Sequence, residues 1–409
     1  MRVSQLAFKP IKNAPANANT VNHKFLVQAG YVRQLMAGVY TYTPLGLKVL
    51  NKIQNIIRTE MNAIGGQEIL MPMLHPKKNW VTTGGWDSID VLFKVKSRTG
   101  REYALGQSHE EVVTPLAKKV IKSYRDLPLA LYQIHWKFRD ELRAKSGILR
   151  GKEFQMKDMY SWHETQEDFD QFYKQVKAAY IRAFEKVGLT AKATEASGGG
   201  FTKKISYEFM VLTDAGEDDI FYCPSCEFCV NQEIAQVKAN DVCPKCGQAK
   251  LEQARASEVG NVFDLGQKYS KDFEVTYMNK QGQQQYPIMG CYGWGTTRTM
   301  GVIVEKYNDE RGITWPRSVA PYDIYLIDIG VESGSAKLIV DQLKQLGLSV
   351  LWDDRDESAG TKFADADLLG IPYRLVISPK TGDKIEFKAR TESKAKLLSL
   401  EEIAALINA

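Results

Sequence analysis

Five of the six cysteines fall within 24 positions, as two Cys-x-x-Cys pairs, Cys223/Cys226 and Cys243/Cys246, with Cys229 beside the first pair and sixteen residues between Cys226 and Cys243. Four thiolates so spaced can close a tetrahedral shell on Zn²⁺, and a closed shell leaves no open position for catalysis. The pattern predicts a zinc ribbon that acts as a structural staple. Cys229 could replace Cys223 in the first pair, and a redox Cys-x-x-Cys is the competing reading, which the second pair argues against. Clustered thiols with one remote cysteine make a poor disulfide framework and suit a reducing cytoplasm.

A second constellation is "FRDELRAKSGILRGKEF", Phe138 to Phe154, with apolar runs on both sides ("LPLALYQIHWK" and "MKDMYSWH"). It predicts two strands joined by a long basic loop that holds fixed charges over a cleft floor. An ordinary charged hairpin would look the same in isolation. The third is "GCYGWGTTRTMGVIVE", Gly290 to Glu305, a glycine-rich strand end entering an apolar helix with Arg298 in its first turn. Glycines admit a close backbone approach and Arg298 supplies a permanent charge for a phosphate. A tight strand–helix turn would need the same glycines.

At 409 residues, two or three domains are expected. With 44% hydrophobic and 25% charged residues, the composition is that of a globular chain, not a disordered one. The net charge of +5 says little, but from Lys118 to Lys157 eleven Lys/Arg face four Asp/Glu, a local excess that can attract phosphates. No run approaches the ~18 apolar residues of a membrane span. The start, "MRVSQLAFKP", lacks a signal peptide's apolar core.

The elements that must carry these residues can be placed. "PLGLKVLNKIQNIIRTEMNAIGG" reads as a helix opened by Pro44 and closed by Gly65–Gly66, with Leu47, Leu50, Ile53, Ile57, Met61 and Ile64 on one face. "QEILMPML" follows as a strand. "EDFDQFYKQVKAAYIRAFEKVG" is a second amphipathic helix, and "YEFMVL" and "DIFYC" are strand-like. After "WPRSVAPYD" strands and helices alternate over the last 90 or so residues, an α/β unit separate from the earlier α+β part. The expected division is 1–215 and 258–318 as a discontinuous α+β body, 216–257 as the ribbon, and 319–409 as the α/β unit.

Three motifs in order, a helix–strand ending in Pro72, Arg139-x-Glu141 with a basic loop ending at Phe154, and Gly293-x-Gly295-x-x-Arg298, resemble those of the class II aminoacyl-tRNA synthetases. "LGQSHEEVVTPL", "YQIHWKFRDE", "RGKEFQMKDMYSWH", "GEDDIFYC", "SEVGNVFDLGQKYS", "IMGCYGWGTTRTMGVIVE" and "DDRDESAGTKFADADLLGIPYRLVI" are similar to the bacterial type of prolyl-tRNA synthetase over nearly the whole chain.

The resemblance implies an antiparallel-sheet catalytic domain that binds ATP with Mg²⁺ and a C-terminal anticodon-binding domain. Arg139 and Arg298 become the catalytic cations, Arg139 on the α-phosphate and Arg298 on the γ-phosphate. Phe154 stacks on adenine, Glu141 lies near its amino group and Arg150 reaches the phosphate tail. For proline, Glu110 is the first ammonium partner and Asp158 the second. Ser108 stands in that loop where the family usually has Thr, and Met156, Tyr160 and Phe209 wall the ring, with core packing as their plain alternative. Arg143 falls on the residue that meets the acceptor end of tRNA(Pro), and Arg355 and Lys362 on anticodon contacts, with surface charge as the alternative.

Family members act as homodimers through the first motif, and bacterial ones usually carry an editing domain between the second and third motifs. Here 216–258 holds only the ribbon, so a short form is expected, with a separate protein removing mischarged alanine. A non-catalytic tRNA-binding relative is the alternative function. The retained Arg139, Phe154 and Arg298 argue against it.

Overall fold

A computed structural model of the chain describes residues 1–199, 202, 204–331 and 333–408. It separates into two compact units: Gln54–Val302 with Met36–Val39, and Met1–Leu35 with Tyr40–Ile53 and Ile303–Ala409. In this partition both the N-terminal residues and 303–318 stand with the C-terminal residues. Arg2 forms a parallel bridge to Trp352, whose backbone N–H donates to Met1 O at 2.9 Å, and Ser4 Oγ donates to Asp354 at 2.7 Å. The first residues thereby extend the C-terminal sheet.

The larger unit is built on a nine-stranded sheet. Its order is Ser206–Leu212, Lys192–Ala196, Cys229–Asn231, Asp218–Tyr222, Glu252–Gly266, Ile288–Gly295, Glu153–His163, Leu129–Phe138 and Gln67–Glu68. Pairing is antiparallel except for Gln67–Glu68 and the Val230–Glu195 contact. The two strands expected around the basic loop pair in unbroken register, from Leu129 opposite Trp162 to Phe138 opposite Glu153.

Strand alternation sends neighbouring side chains to opposite faces. Lys157 bonds Tyr180 of the Gln166–Lys186 helix on one face. Tyr160 and Trp162 pack with Val113 and Ala117 of the Glu110–Val120 helix on the other. The Gln166–Lys186 helix begins where Thr165 Oγ1 accepts the N–H of Asp168, and it buries Phe169, Val176, Tyr180 and Phe184.

The Pro44–Ala63 helix forms as expected and buries Leu50, Ile53, Ile57 and Met61. Leu47 does not share that stripe and is 48% exposed, because Leu45 and Val49 take the buried positions. "QEILMPML" is not one strand either: only Gln67–Glu68 joins the large sheet, and Leu74–Pro76 pairs in a small three-stranded one. Pro72 has no N–H to give a ladder, and its carbonyl is taken at 3.1 Å and 3.2 Å by the rings of His75 and His109.

Beyond Tyr322, strands Val350–Asp353, Ile324–Asp328 and Tyr373–Ile377 run parallel, and Ile385–Ala389 and Lys396–Leu398 add antiparallel. Helices Ser333–Gln345, Ala359–Leu369 and Leu400–Asn408 supply the rest of that α/β layer. Its core joins Leu326, Leu343, Trp352, Leu375 and Ile403.

Candidate active site

Arg139 stands where the Leu129–Phe138 strand enters the basic loop, and its N–H bonds Lys152 O (2.9 Å) as the loop returns. The guanidinium lies over the ring of Phe154, 5.2 Å from the centroid. Its Nε is buried and has no hydrogen-bond partner among the described residues. Burial and the charge of Arg298 both work against the protonated form. The side chain borders two adjoining cavities, of about 220 Å³ and 620 Å³, and Glu141 borders both as well.

The smaller cavity is polar, lined by Arg139, Arg150 and Arg298 against Glu141, Glu217, Asp218 and Glu258. Arg298 sits in the first turn of the Thr296–Lys306 helix; its Nε donates to Leu149 O (2.9 Å) and one terminal nitrogen to Glu258 O (2.6 Å). The glycine-rich strand before it permits this approach. A Cβ at Gly293 would lie 2.6 Å from Asn261 Oδ1, which accepts the Gly293 N–H while the Asn261 amide donates to Glu258. Arg150 donates twice to Glu141 Oε2 (3.0 and 2.7 Å) and once to Glu217 Oε2 (2.7 Å).

Sequence reasoning assigned no role to Asp218, Ser257 or Glu258, although "GEDDIFYC" and "SEVGNVFDLGQKYS" contain them. Burial and then the charge of Glu258 push the Asp218 pKa up. Two crowded carboxylates beside three arginines make a hard, all-oxygen donor set of the kind Mg²⁺ prefers.

The larger cavity is lined by Gln107, Glu110, Glu111, Lys268 and Tyr269, with Thr83 to Val91 as its other wall. Glu110 opens the Glu110–Val120 helix, is fully buried, and accepts from Ser108 Oγ and from Cys291 Sγ (3.0 Å). Burial raises its pKa. Glu111 accepts from Thr83 Oγ1 (3.0 Å) and is pushed up to about 8 by burial and the adjacent Glu110. Neither Glu111 nor Lys268 was picked out by the sequence reading.

Asp158 does not offer a free carboxylate. Lys137 Nζ lies 2.7 Å from Oδ1, while Gln133 and Tyr160 both donate to Oδ2 at 3.0 Å. Burial opposes its charge, but Lys137 and His109 hold the pKa below the usual range. Tyr160 is a brace: its hydroxyl also accepts the N–H of His109, the residue before Glu110. Met156 is half-buried on the strand face that carries Phe154 and Asp158.

Phe209 is a correction. It lies on the opposite face, packed on Tyr180 (centroids 4.8 Å apart) and Phe184 (5.8 Å), and does not wall this cavity.

Cys223, Cys226, Cys243 and Cys246 converge, their sulfurs within 4.8 Å of one another. The Cys223–Cys246 and Cys226–Cys243 sulfur separations are 3.6 and 3.7 Å. Tetrahedral Zn–S bonds of ~2.3 Å require about 3.8 Å between sulfurs, so the set fits zinc. Cys229 stands apart, its sulfur 3.1 Å from Thr194 Oγ1. That separates Cys229 from the group Cys223 belongs to.

Arg143 is exposed in the loop, next to Leu142 at 97% exposure. Arg355 and Lys362 are not free surface charges. Arg355 donates to Asp353 and Asp365 at 2.7 and 2.8 Å and is held strongly protonated by the Asp353 bond. Lys362 is 4% exposed and donates to Asp328 O (2.8 Å), Asp328 Oδ1 (3.0 Å) and Asp353 O (3.3 Å). With those bonds made inside the unit, both tie its strands to the Ala359–Leu369 helix.

Residues 93–307 match the family model described as the tRNA synthetase class II core domain (G, H, P, S and T), and 325–409 match an anticodon binding domain. The chain is 33% identical to the proline–tRNA ligase of Thermosipho melanesiensis, with 98% of each chain covered. It is 32% identical to that of Caldicellulosiruptor saccharolyticus, with 100% of this chain and 98% of the relative covered. The first alignment runs over 555 positions against a chain of 409, so at least 146 positions of that relative face a gap. In fold, the Cryptosporidium parvum prolyl-tRNA synthetase solved with L-proline and AMP superposes with a TM-score of 0.78 at 18% identity, over 97% of this chain and 76% of the other. With its class II core, anticodon-binding module and full-length similarity to these ligases, the chain belongs to the proline–tRNA ligase family of class II aminoacyl-tRNA synthetases.

Proposed function

We propose that the chain couples ATP to the attachment of L-proline to tRNA(Pro) through a prolyl-adenylate. The observation that carries this is Arg139 at the junction of the two cavities: one presents arginines for phosphates, the other a buried carboxylate for an ammonium. A proline carboxylate oxygen attacks the α-phosphorus, the bond to the bridging oxygen breaks, and pyrophosphate leaves. A ribose hydroxyl of the tRNA 3′ end then attacks the acyl carbon and AMP departs. No protein nucleophile is needed, so positioning and charge do the catalysis.

In this reading Arg139 holds the α-phosphate and the attacking carboxylate, and Arg298 the γ-phosphate. Phe154 stacks on adenine, Glu141 takes its amino group, and Arg150 meets the phosphate tail. Glu110, braced by Ser108, receives the secondary ammonium, while Met156 and Tyr160 help shape the ring site. Asp218 and Glu258 would hold Mg²⁺, which when bound neutralises the leaving pyrophosphate. Arg143 meets the acceptor end.

The ribbon, 216–257, would hold one structural zinc. The parts 1–215 and 258–318 would act as the catalytic domain and 319–409 as the anticodon-binding domain. The chain would act in the cytoplasm as a homodimer through the first motif, where Leu70, 75% exposed two residues before Pro72, offers a partner an apolar side chain. A separate protein would remove mischarged alanine. ATP–pyrophosphate exchange across all twenty amino acids tests the reading: proline should dominate, and exchange with none would favour the non-catalytic alternative.

A further inference from the structure

We propose that Glu217 competes with the nucleotide for the cations of the Phe138–Phe154 loop and thereby sets the affinity for ATP. The proposal rests on the reading of Arg150 as a phosphate contact. Glu217 lines the same cavity as Arg139 and Arg298. One of its carboxylate oxygens accepts from Arg150 at 2.7 Å and the other lies 3.1 Å from Lys145 Nζ. Two of the loop's cations, one on each side of the Ser146–Gly147 turn, thus converge on one carboxylate, and Arg150 is shared between it and Glu141. An arginine fork suits a carboxylate and a phosphate alike, so the same donors can serve either.

The two partners differ in how firmly they are held. Glu217 follows a tight turn in which Gly216 N–H donates to Thr213 O (3.0 Å). That turn lies against the Glu252–Gly266 strand so closely that a Cβ on Gly216 would come 2.1 Å from Ala256 O. The loop, by contrast, passes through left-handed turns at Ser146 (φ +59°) and Gly147 (φ +64°), and its ion pairs are half-exposed, with Lys145, Arg150 and Glu217 at 52%, 40% and 34%. Ion pairs this exposed are weak. They can be surrendered to a triphosphate, which offers several charges in place of one. Glu217 therefore parks the loop cations beside the nucleotide site and withdraws part of the ATP affinity that they would otherwise supply.

The test is the KM for ATP in pyrophosphate exchange, with the KM for proline as an internal reference. E217Q and E217A should each lower the ATP KM about two- to fivefold, the range that losing half-exposed ion pairs allows, and leave the proline KM in place. R150A should raise the ATP KM, and E217Q added to a K145A/R150A background should change nothing further. An ATP KM that is unchanged or raised in E217Q overturns the proposal, a rise meaning that Glu217 serves the nucleotide or its metal directly. If R150A leaves the ATP KM unaltered, the phosphate role of Arg150 itself fails, and the inference with it.

Discussion

Lys137 and Asp158 form an ion pair at 2.7 Å with side chains 0% and 2% exposed, in the floor between the two histidines of the Pro72 clamp and the helix that carries Glu110. Burial pulls the Lys137 pKa down and Asp158 pulls it back up. Removing one partner strands the other charge in the interior. Lys137→Ala should therefore cost about 3–5 kcal/mol, read as a lowered urea midpoint. Lys137→Ala/Asp158→Ala should cost less than Lys137→Ala alone. Equal losses would mean that the pair is not the source of the effect.

Arg139→Ala should leave the fold intact and cut adenylate formation on the order of a hundredfold or more, as expected when a donor aimed at developing charge is removed. The measurement is pyrophosphate exchange at saturating substrates. A loss below tenfold, under about 1.4 kcal/mol, would move the transition-state charge elsewhere.

Glu110→Gln should weaken proline far more than ATP, because a charge-assisted bond to the ammonium is worth about 1.5–3 kcal/mol. The neighbouring Glu111 adds a pH dependence. Its pKa is raised to about 8 by burial and Glu110, so it is neutral below that pH and charged above it. A second negative charge favours the cationic substrate, whose ammonium stays protonated throughout this range. The KM for proline should fall as pH rises from 6 to 8.5, and Glu111→Gln should make that fall shallower, leaving the part that comes from Glu110, whose pKa burial also raises. A KM that climbs with pH would reverse the assignment.

The legible parts of this molecule were those where type and spacing suffice. Two Cys-x-x-Cys pairs and the arginines of the loop and the glycine-rich turn needed no knowledge of what packs on them. The pairing of Arg355 and Lys362 is not legible in the sequence, because a charge in a loop or helix does not show its partner. Their partners, Asp328, Asp353 and Asp365, come from three separate elements. Phe209 failed for a geometric reason. The irregularity beside it lies in the partner strand, where Phe209 pairs Gly260 and Met210 pairs Glu258 with Val259 as the extra residue, and only the fold reveals that the Phe209 face meets Tyr180 and Phe184. Glu111 and Lys268 reach the larger cavity from two helices far apart in sequence.

Native protein should carry about one zinc per chain. Cys223→Ser and Cys246→Ser should lose it and loosen the segment between Tyr222 and Glu252, while Cys229→Ser should keep it, since Cys229 bonds Thr194 instead. Metal analysis of the three variants decides this. Zinc lost from Cys229→Ser alone would reassign the ligand set.

The last expectation concerns fidelity. A site shaped for proline cannot strongly reject alanine, which is smaller and enters the same cavity. Each missing methylene forfeits only ~1–3 kcal/mol, so discrimination by binding is bounded. Between Phe154 and Gly290 the described residues are taken up by the Gln166–Lys186 helix, strands of the nine-stranded sheet, the cysteine ribbon and short connecting segments. The family relatives carry well over a hundred positions that this chain lacks. The protein should therefore form alanyl-tRNA(Pro) slowly and should not hydrolyse it unaided. Pre-made alanyl-tRNA(Pro) supplied to the enzyme should decay at the enzyme-free rate. Rapid enzyme-dependent release would reveal a hydrolytic site elsewhere in the chain. Undetectable alanine activation would instead mean that the wall around Gln107 and Ser108, both buried beside Glu110, has tightened enough to exclude the smaller substrate.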